Sequence, residues 1–160
     1  MIFFCPNCWA QVREEEKTCP QCRVKIGAFD QLSYFDKLTR ALNHPVATTR
    51  MRAAYILGEI GDLRGIKPLA EVIDRAWGRE GIFFLREIAI ALGKIDGQEA
   101  LPALIHLMNH PSFLIRETAL NSLGKIRKGE AIAAIQKAVK DPSSRVRELA
   151  REILKKDFGD

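Results

Sequence analysis

The chain has 160 residues, 47% hydrophobic and 28% charged, which suits one ordinary domain, or one domain with a small appendage. No apolar run approaches the roughly 18 residues of a membrane span, and the start, MIFFCPNC, lacks the basic region of a secretory signal. No membrane association is expected, and the cytoplasm is the expected compartment. The net charge of +5 is unevenly spread: residues 1–26 carry +1, residues 27–115 zero and residues 116–160 +4. Such a basic end attracts phosphate or an acidic protein, although a solvated helical face is the simpler account of it.

Reading from the N-terminus, all four cysteines fall within CPNCWAQVREEEKTCPQC, as C-x2-C, a ten-residue spacer and C-x2-C again. Two residues between thiols let both sulfurs reach one metal while backbone N–H groups point at them. Two such knuckles supply the closed tetrahedral set of structural zinc. Cys5, Cys8, Cys19 and Cys22 are therefore the expected ligands of a structural Zn2+, with iron the alternative for the same four thiolates. A disulfide framework suits a chain without a signal peptide poorly. A redox pair would need only one C-x-x-C. Four thiolates leave no position open for water or substrate, so the metal is expected to hold a shape.

Residues 3–26, with their two C-P-x-C knuckles, resemble the short zinc-ribbon family found at the front of many bacterial and archaeal proteins. That family usually has Gly directly after each second cysteine, where this chain has Trp9 and Arg23. A knuckle that keeps φ > 0 there would cost about 1 kcal/mol per substituted residue. Metal binding greatly outweighs that cost.

After the apolar linker, the chain repeats itself. Asn43-His44-Pro45 recurs 66 residues later as Asn109-His110-Pro111, and Lys140-Asp141-Pro142 follows after 31 more. Leu57-Gly58, Leu92-Gly93 and Leu123-Gly124 are spaced by 35 and 31, which gives the same 66. Apolar columns follow the register with helical spacing: Ala53, Ile88, Ala119 and Ala150; Leu57, Leu92, Leu123 and Leu154; Leu69, Leu104 and Ile135. Arg50, Arg116 and Arg147 share a column too, with Leu85 in the second repeat. The pattern predicts helices near 33–42, 47–59, 65–76, 82–94, 98–108, 112–126, 130–139 and 143–156. Pro45, Pro111 and Pro142 stand where a helix should begin. A recurrent Gly inside a helix costs up to about 1 kcal/mol, so Gly58, Gly93 and Gly124 argue for close helix contact.

Residues 49–73, TRMRAAYILGEIGDLRGIKPLAEVI, resemble the HEAT-like repeats of phycobilin lyase subunits, and the resemblance extends over about residues 33–156. It implies an all-α fold, a short right-handed α-solenoid of helix pairs behind a small N-terminal zinc ribbon. It also implies a scaffold and binding surface, since only some members of the family assist enzymes. The expected organisation is a ribbon over 1–26, a linker over 27–34 and a repeat domain over 35–160. That domain would hold a half repeat, three repeats and a capping helix. In the last helix Lys155 takes the place of the repeated Gly, as suits an end with nothing stacked beyond it. The other end needs a cover, and the ribbon is expected to dock there through Trp9, Phe29 or Leu32.

Solenoids bind partners along the face of their second helices. By the alignment that face exposes Arg40, Glu71, His106 and Lys137, with Asp74 and Lys140 one turn further on. Lys125, Arg127 and Lys128 cluster in a turn beside it. The second repeat carries four extra residues near Trp77, with Phe83 in an outward column. These residues are the candidates for binding an unidentified protein partner. Nucleic acid, held by the basic C-terminal repeats and the ribbon, is the alternative. No small-molecule substrate is expected. No catalytic motif stands out: His110 belongs to a repeated turn, and there is no G-x-S-x-G and no P-loop. The expectation is a non-catalytic adaptor.

Overall fold

The computed structural model describes residues 3–77, 81–126 and 129–158. Two short strands come first, β1 (Phe3–Phe4) and β2 (Gln11–Val12), paired antiparallel with Phe3 opposite Val12. A 3-10 turn over Ile26–Phe29 leads to α1 (Tyr34–Ala41). There follow α2 (Ala47–Ile60), α3 (Ile66–Ala76), α4 (Ile82–Ile95), α5 (Leu101–Leu107), α6 (Phe113–Ile126), α7 (Gly129–Ala138) and α8 (Ser144–Phe158). The helix ends lie within two residues of those the sequence pattern predicts, except that α5 is preceded by a separate 3-10 turn over Gln98–Ala100.

The helices form a two-layer α-solenoid. One layer is α2, α4, α6 and α8, each packed on the next; α1, α3, α5 and α7 each pack on the helix that follows them. The repeated columns are the core: Leu57, Leu92 and Leu123 are fully buried, as are Ile88, Ala119, Ala150, Leu69 and Leu104. The ribbon has its own small apolar cluster around Cys5, Val12 and Cys19.

Glycine permits the close approach within the α2–α4–α6 layer. A Cβ on Gly58 would lie 2.8 Å from Ala91 Cα, and one on Gly93 would lie 2.5 Å from Ser122 Oγ. The Ser122 hydroxyl in turn donates to the Ala89 carbonyl across that contact, at 2.7 Å.

The turns that precede α2, α6 and α8 share one design. Asn-His-Pro or Lys-Asp-Pro puts an acceptor two residues ahead of an unbonded helix-start N–H, the role of an N-cap. His44 Nδ1 accepts from the Val46 N–H (3.0 Å), His110 Nδ1 from the Ser112 N–H (3.0 Å) and Asp141 Oδ1 from the Ser143 N–H (2.8 Å). The arginine column closes each turn from the helix side. Arg50 donates to the His44 and Pro45 carbonyls, Arg116 to those of His110 and Pro111, and Arg147 to those of Asp141 and Pro142. Leu85, which holds this column in the second repeat, is buried in the core instead.

Candidate metal centre and partner-binding face

The two knuckles fold alike. The Trp9 N–H donates to the Cys5 carbonyl and the Arg23 N–H to the Cys19 carbonyl, both at 2.9 Å. The Cys5 and Cys19 N–H groups return bonds to the carbonyls of Ala10 and Val24. Each turn needs a left-handed residue just after its second cysteine. Trp9 (φ 60°) and Arg23 (φ 58°) both adopt that conformation where glycine would be free of strain.

The turns bring the four thiols together. All four Sγ atoms lie within 4.8 Å of one another. Cys5 and Cys22 are 3.6 Å apart at sulfur, and Cys8 and Cys19 are 3.7 Å apart. A tetrahedral site with metal–sulfur bonds of about 2.3 Å separates its sulfurs by roughly 3.8 Å, so the arrangement fits a four-thiolate metal ion. Bonded disulfide sulfurs would be about 2.05 Å apart. The Asn7 N–H also points at Cys5 Sγ, at 3.4 Å. The surroundings move the Cys8 and Cys22 pKa values in opposite directions. The backbone N–H near Ala10 lowers Cys8, but desolvation and the three neighbouring thiols outweigh it and push it up to about 12. Cys22 is held at about 6, led by its backbone bond at Val24.

The ribbon lies against the first helix and its turn. Arg40 donates from Nε and Nη2 to the Pro6 carbonyl (3.2 and 3.1 Å) and from Nη2 to Asn7 Oδ1 (3.3 Å). Its guanidinium sits 4.5 Å from the centre of the Phe29 ring. The His44 ring meets Phe4 and Trp9 edge-on, with centroids 4.9 and 4.8 Å away. Burial there lowers the His44 pKa, and the charge of Arg50 adds to this. Phe29 and Leu32, the other docking residues expected from the sequence, line a small pocket with Phe4 and Trp9.

The face of α3, α5 and α7 exposes Glu71, Asp74, His106, Lys137 and Lys140. His106 Nε2 is 3.0 Å from Asp74 Oδ1, and its ring stacks on Trp77 at 4.4 Å. Between α5 and α7 lies an open groove of about 470 Å³, with Ile105, Met108 and Ala134 in its walls and Lys137 and Lys140 at its edge. Lys125 is exposed at the end of α6; Arg127 and Lys128 lie outside the described residues. Phe83 is 66% exposed, while Phe84 beside it enters the core. Arg40 differs from the rest of its column, because the ribbon occupies its guanidinium. The sequence reading missed the groove, and the alternation of small and apolar residues in AIAAIQKA (residues 131–138) is the one signal that bore on it.

Residues 84–155 match the family model for HEAT repeats. Residues 49–75 match the model described as PBS lyase HEAT-like repeat. The helical stack is made of HEAT-like repeats. Among solved structures, the chain is similar to an engineered protein at 22% identity and a TM-score of 0.57, over 77% of this chain and 62% of that one. It is also similar to the complex of CpcE and CpcF of phycocyanin lyase from Nostoc sp. PCC7120, at 21% identity and a TM-score of 0.56, over 81% of this chain and 66% of that one. The chain thus spans just under two thirds of the length of each. At such identities the likeness is one of fold. No protein of curated function matches the sequence.

These matches overturn the expectation of a chain that is not an enzyme. The HEAT-like repeat over 49–75 is named for a lyase, and a phycocyanin lyase shares the fold. The expectation rested on missing catalytic motifs, and a repeat subunit of an enzyme can contribute through surfaces that no short motif describes.

Proposed function

We propose that the chain is a HEAT-like scaffold subunit that binds a protein partner, with zinc as the structural metal of its four-cysteine ribbon. The ribbon over 1–26 and the repeats from 35 onward are then two units of one scaffold. Its likeness to the CpcE–CpcF complex suggests that the partner complex carries out an enzymatic reaction.

The observation that carries this reading is the face of α3, α5 and α7. It passes from Glu71 and Asp74 at one end to Lys137 and Lys140 at the other, beside a groove with apolar walls. A track for nucleic acid would present cations along its length. A face of mixed sign with apolar contact area suits a protein surface. The cytoplasm suits four reduced thiols.

The test is co-purification from the native cells, with and without nuclease, using the intact chain and a Lys137→Glu/Lys140→Glu variant. A defined partner that survives nuclease and is lost from the variant supports the scaffold. Bound material that disappears with nuclease would put nucleic acid in its place.

A further inference from the structure

His44 and His110 occupy the same turn of two different repeats, and each ring rests against a tryptophan. For His110 the tryptophan is Trp77, edge-on at 4.7 Å, which directly follows α3 in the preceding unit. No complete unit precedes His44. Its tryptophan is Trp9, edge-on at 4.8 Å, and it comes from the ribbon. Trp9 thus stands to the first repeat as Trp77 stands to the third.

The residues that make this contact belong to the first metal knuckle. Pro6 and Asn7, which bond Arg40, are the two residues between Cys5 and Cys8. Trp9 directly follows Cys8, and Phe4 directly precedes Cys5. Beyond the backbone bonds of the turn and the short β1–β2 pairing, the described residues give that knuckle little apolar support. The buried residues of the ribbon cluster are Cys5, Val12 and Cys19, and two of those three are metal-ligand candidates. An apolar cluster of this size cannot fold a chain by itself, so a metal supplies the missing stability. On the other side of the contact, α1 has eight residues and buries only Leu38, with Leu42 directly after it as the segment's other buried anchor. A terminal element with so small a buried face frays unless it is covered.

We infer that the ribbon is the N-terminal capping unit of the HEAT-like stack, and that metal loading at the four cysteines governs the order of α1 and the turn at residues 42–46. The metal shapes the knuckle. The knuckle presents the Pro6 carbonyl to Arg40 and the Trp9 ring to His44. Those two contacts hold the end of the solenoid. The inference rests on the four cysteines being a metal site.

The test is amide hydrogen exchange on the intact chain, zinc-loaded and after stripping with a chelator, with zinc content measured on both. Residues 34–46 should exchange about tenfold or more faster in the stripped chain, with α6 and α8 unchanged. A second variant separates docking from metal binding. Trp9→Gly relieves the left-handed backbone and Arg40→Ala removes the clamp, so the double variant should keep its zinc yet show the fast exchange at 34–46. If stripping accelerates only residues 3–26, or if the zinc-bound double variant stays slow at 34–46, the capping inference is overturned and the metal site stands. A chain that takes up no zinc overturns both.

Discussion

Gly93 and Gly124 occupy one column, one repeat apart, and their contacts are built differently. A Cβ on Gly93 would meet Ser122 at Oγ (2.5 Å), Cβ (2.6 Å) and Cα (3.0 Å). A Cβ on Gly124 would meet the side chain of Ile153, at 3.0 Å and beyond. In the first case the Ser122 side chain blocks the space, with its own Cα close behind it. In the second a flexible side chain fills it. The layer is thus looser where α8 closes it than between α4 and α6. The repeated Gly is a strict requirement of packing at one place and a looser one at the other.

Substitution by alanine should separate the two. Gly93→Ala should push α6 away and break the buried bond from Ser122 to the Ala89 carbonyl. The cost is about 2 kcal/mol net of the gain in helix propensity. Adding Ser122→Gly should restore part of the loss, which a double-mutant cycle on urea unfolding would read as coupling. Gly124→Ala should stay within about 1 kcal/mol of the native chain, because Ile153 can turn aside. Equal losses at the two sites would break the comparison.

The turns differ as well. His44 and His110 carry aromatic cover, whereas Asp141 in the equivalent place pairs with Arg116 of the preceding repeat, Nε to Oδ2 and Nη2 to Oδ1, both at 2.8 Å. The two side chains are only 11% and 7% exposed. Burial alone would raise the Asp141 pKa, but the Arg116 bonds and the Ser143 N–H outweigh it and hold the carboxyl below its usual 3.8. A carboxyl whose pKa is lowered on folding contributes stability above its unfolded value and loses it as pH falls through the folded one. Asp141→Asn should therefore cost about 1–2 kcal/mol at neutral pH. The gap in urea midpoint between native and variant should narrow as pH drops below 3.8. A gap that does not change with pH would mean that the pair contributes shape and no charge.

The sequence is most readable where one physical requirement repeats. The Leu57, Leu92 and Leu123 column had to be core, because helical spacing leaves no other face for it. The Arg50, Arg116 and Arg147 column was visible too, and the structure shows it closing the proline-ended turn that travels with it. The four cysteines were readable because few other arrangements explain their spacing. The missing glycines at Trp9 and Arg23 correctly marked left-handed backbone. Arg40 was misleading for an equally physical reason. A repeat column tells which way a side chain faces and nothing about what lies over it. Arg40 shares its column with Glu71, His106 and Lys137, yet the ribbon covers that end alone. The expectation of a chain that is not an enzyme failed for a different reason: it was read from missing motifs, while the lyase-type repeat pattern over residues 49–73 was itself legible in the sequence.

The smallest effect concerns the ends of α2 and α4. Gly61 closes α2 in the left-handed region at φ 68°, and its N–H bonds the Leu57 carbonyl. One repeat on, Asp96 closes α4 at φ 53°, with its N–H on the Leu92 carbonyl. The turn is the same, and only the first has the residue that adopts it without strain. Asp tolerates left-handed backbone better than most residues, so the strain is modest. Asp96→Gly should stabilise the chain by about 0.5–1 kcal/mol, less whatever the added glycine loses in the unfolded state. Thermal unfolding would read this as a small rise in midpoint. A fall in its place would mean that the Asp96 side chain makes a contribution that its equivalence to Gly61 does not reveal.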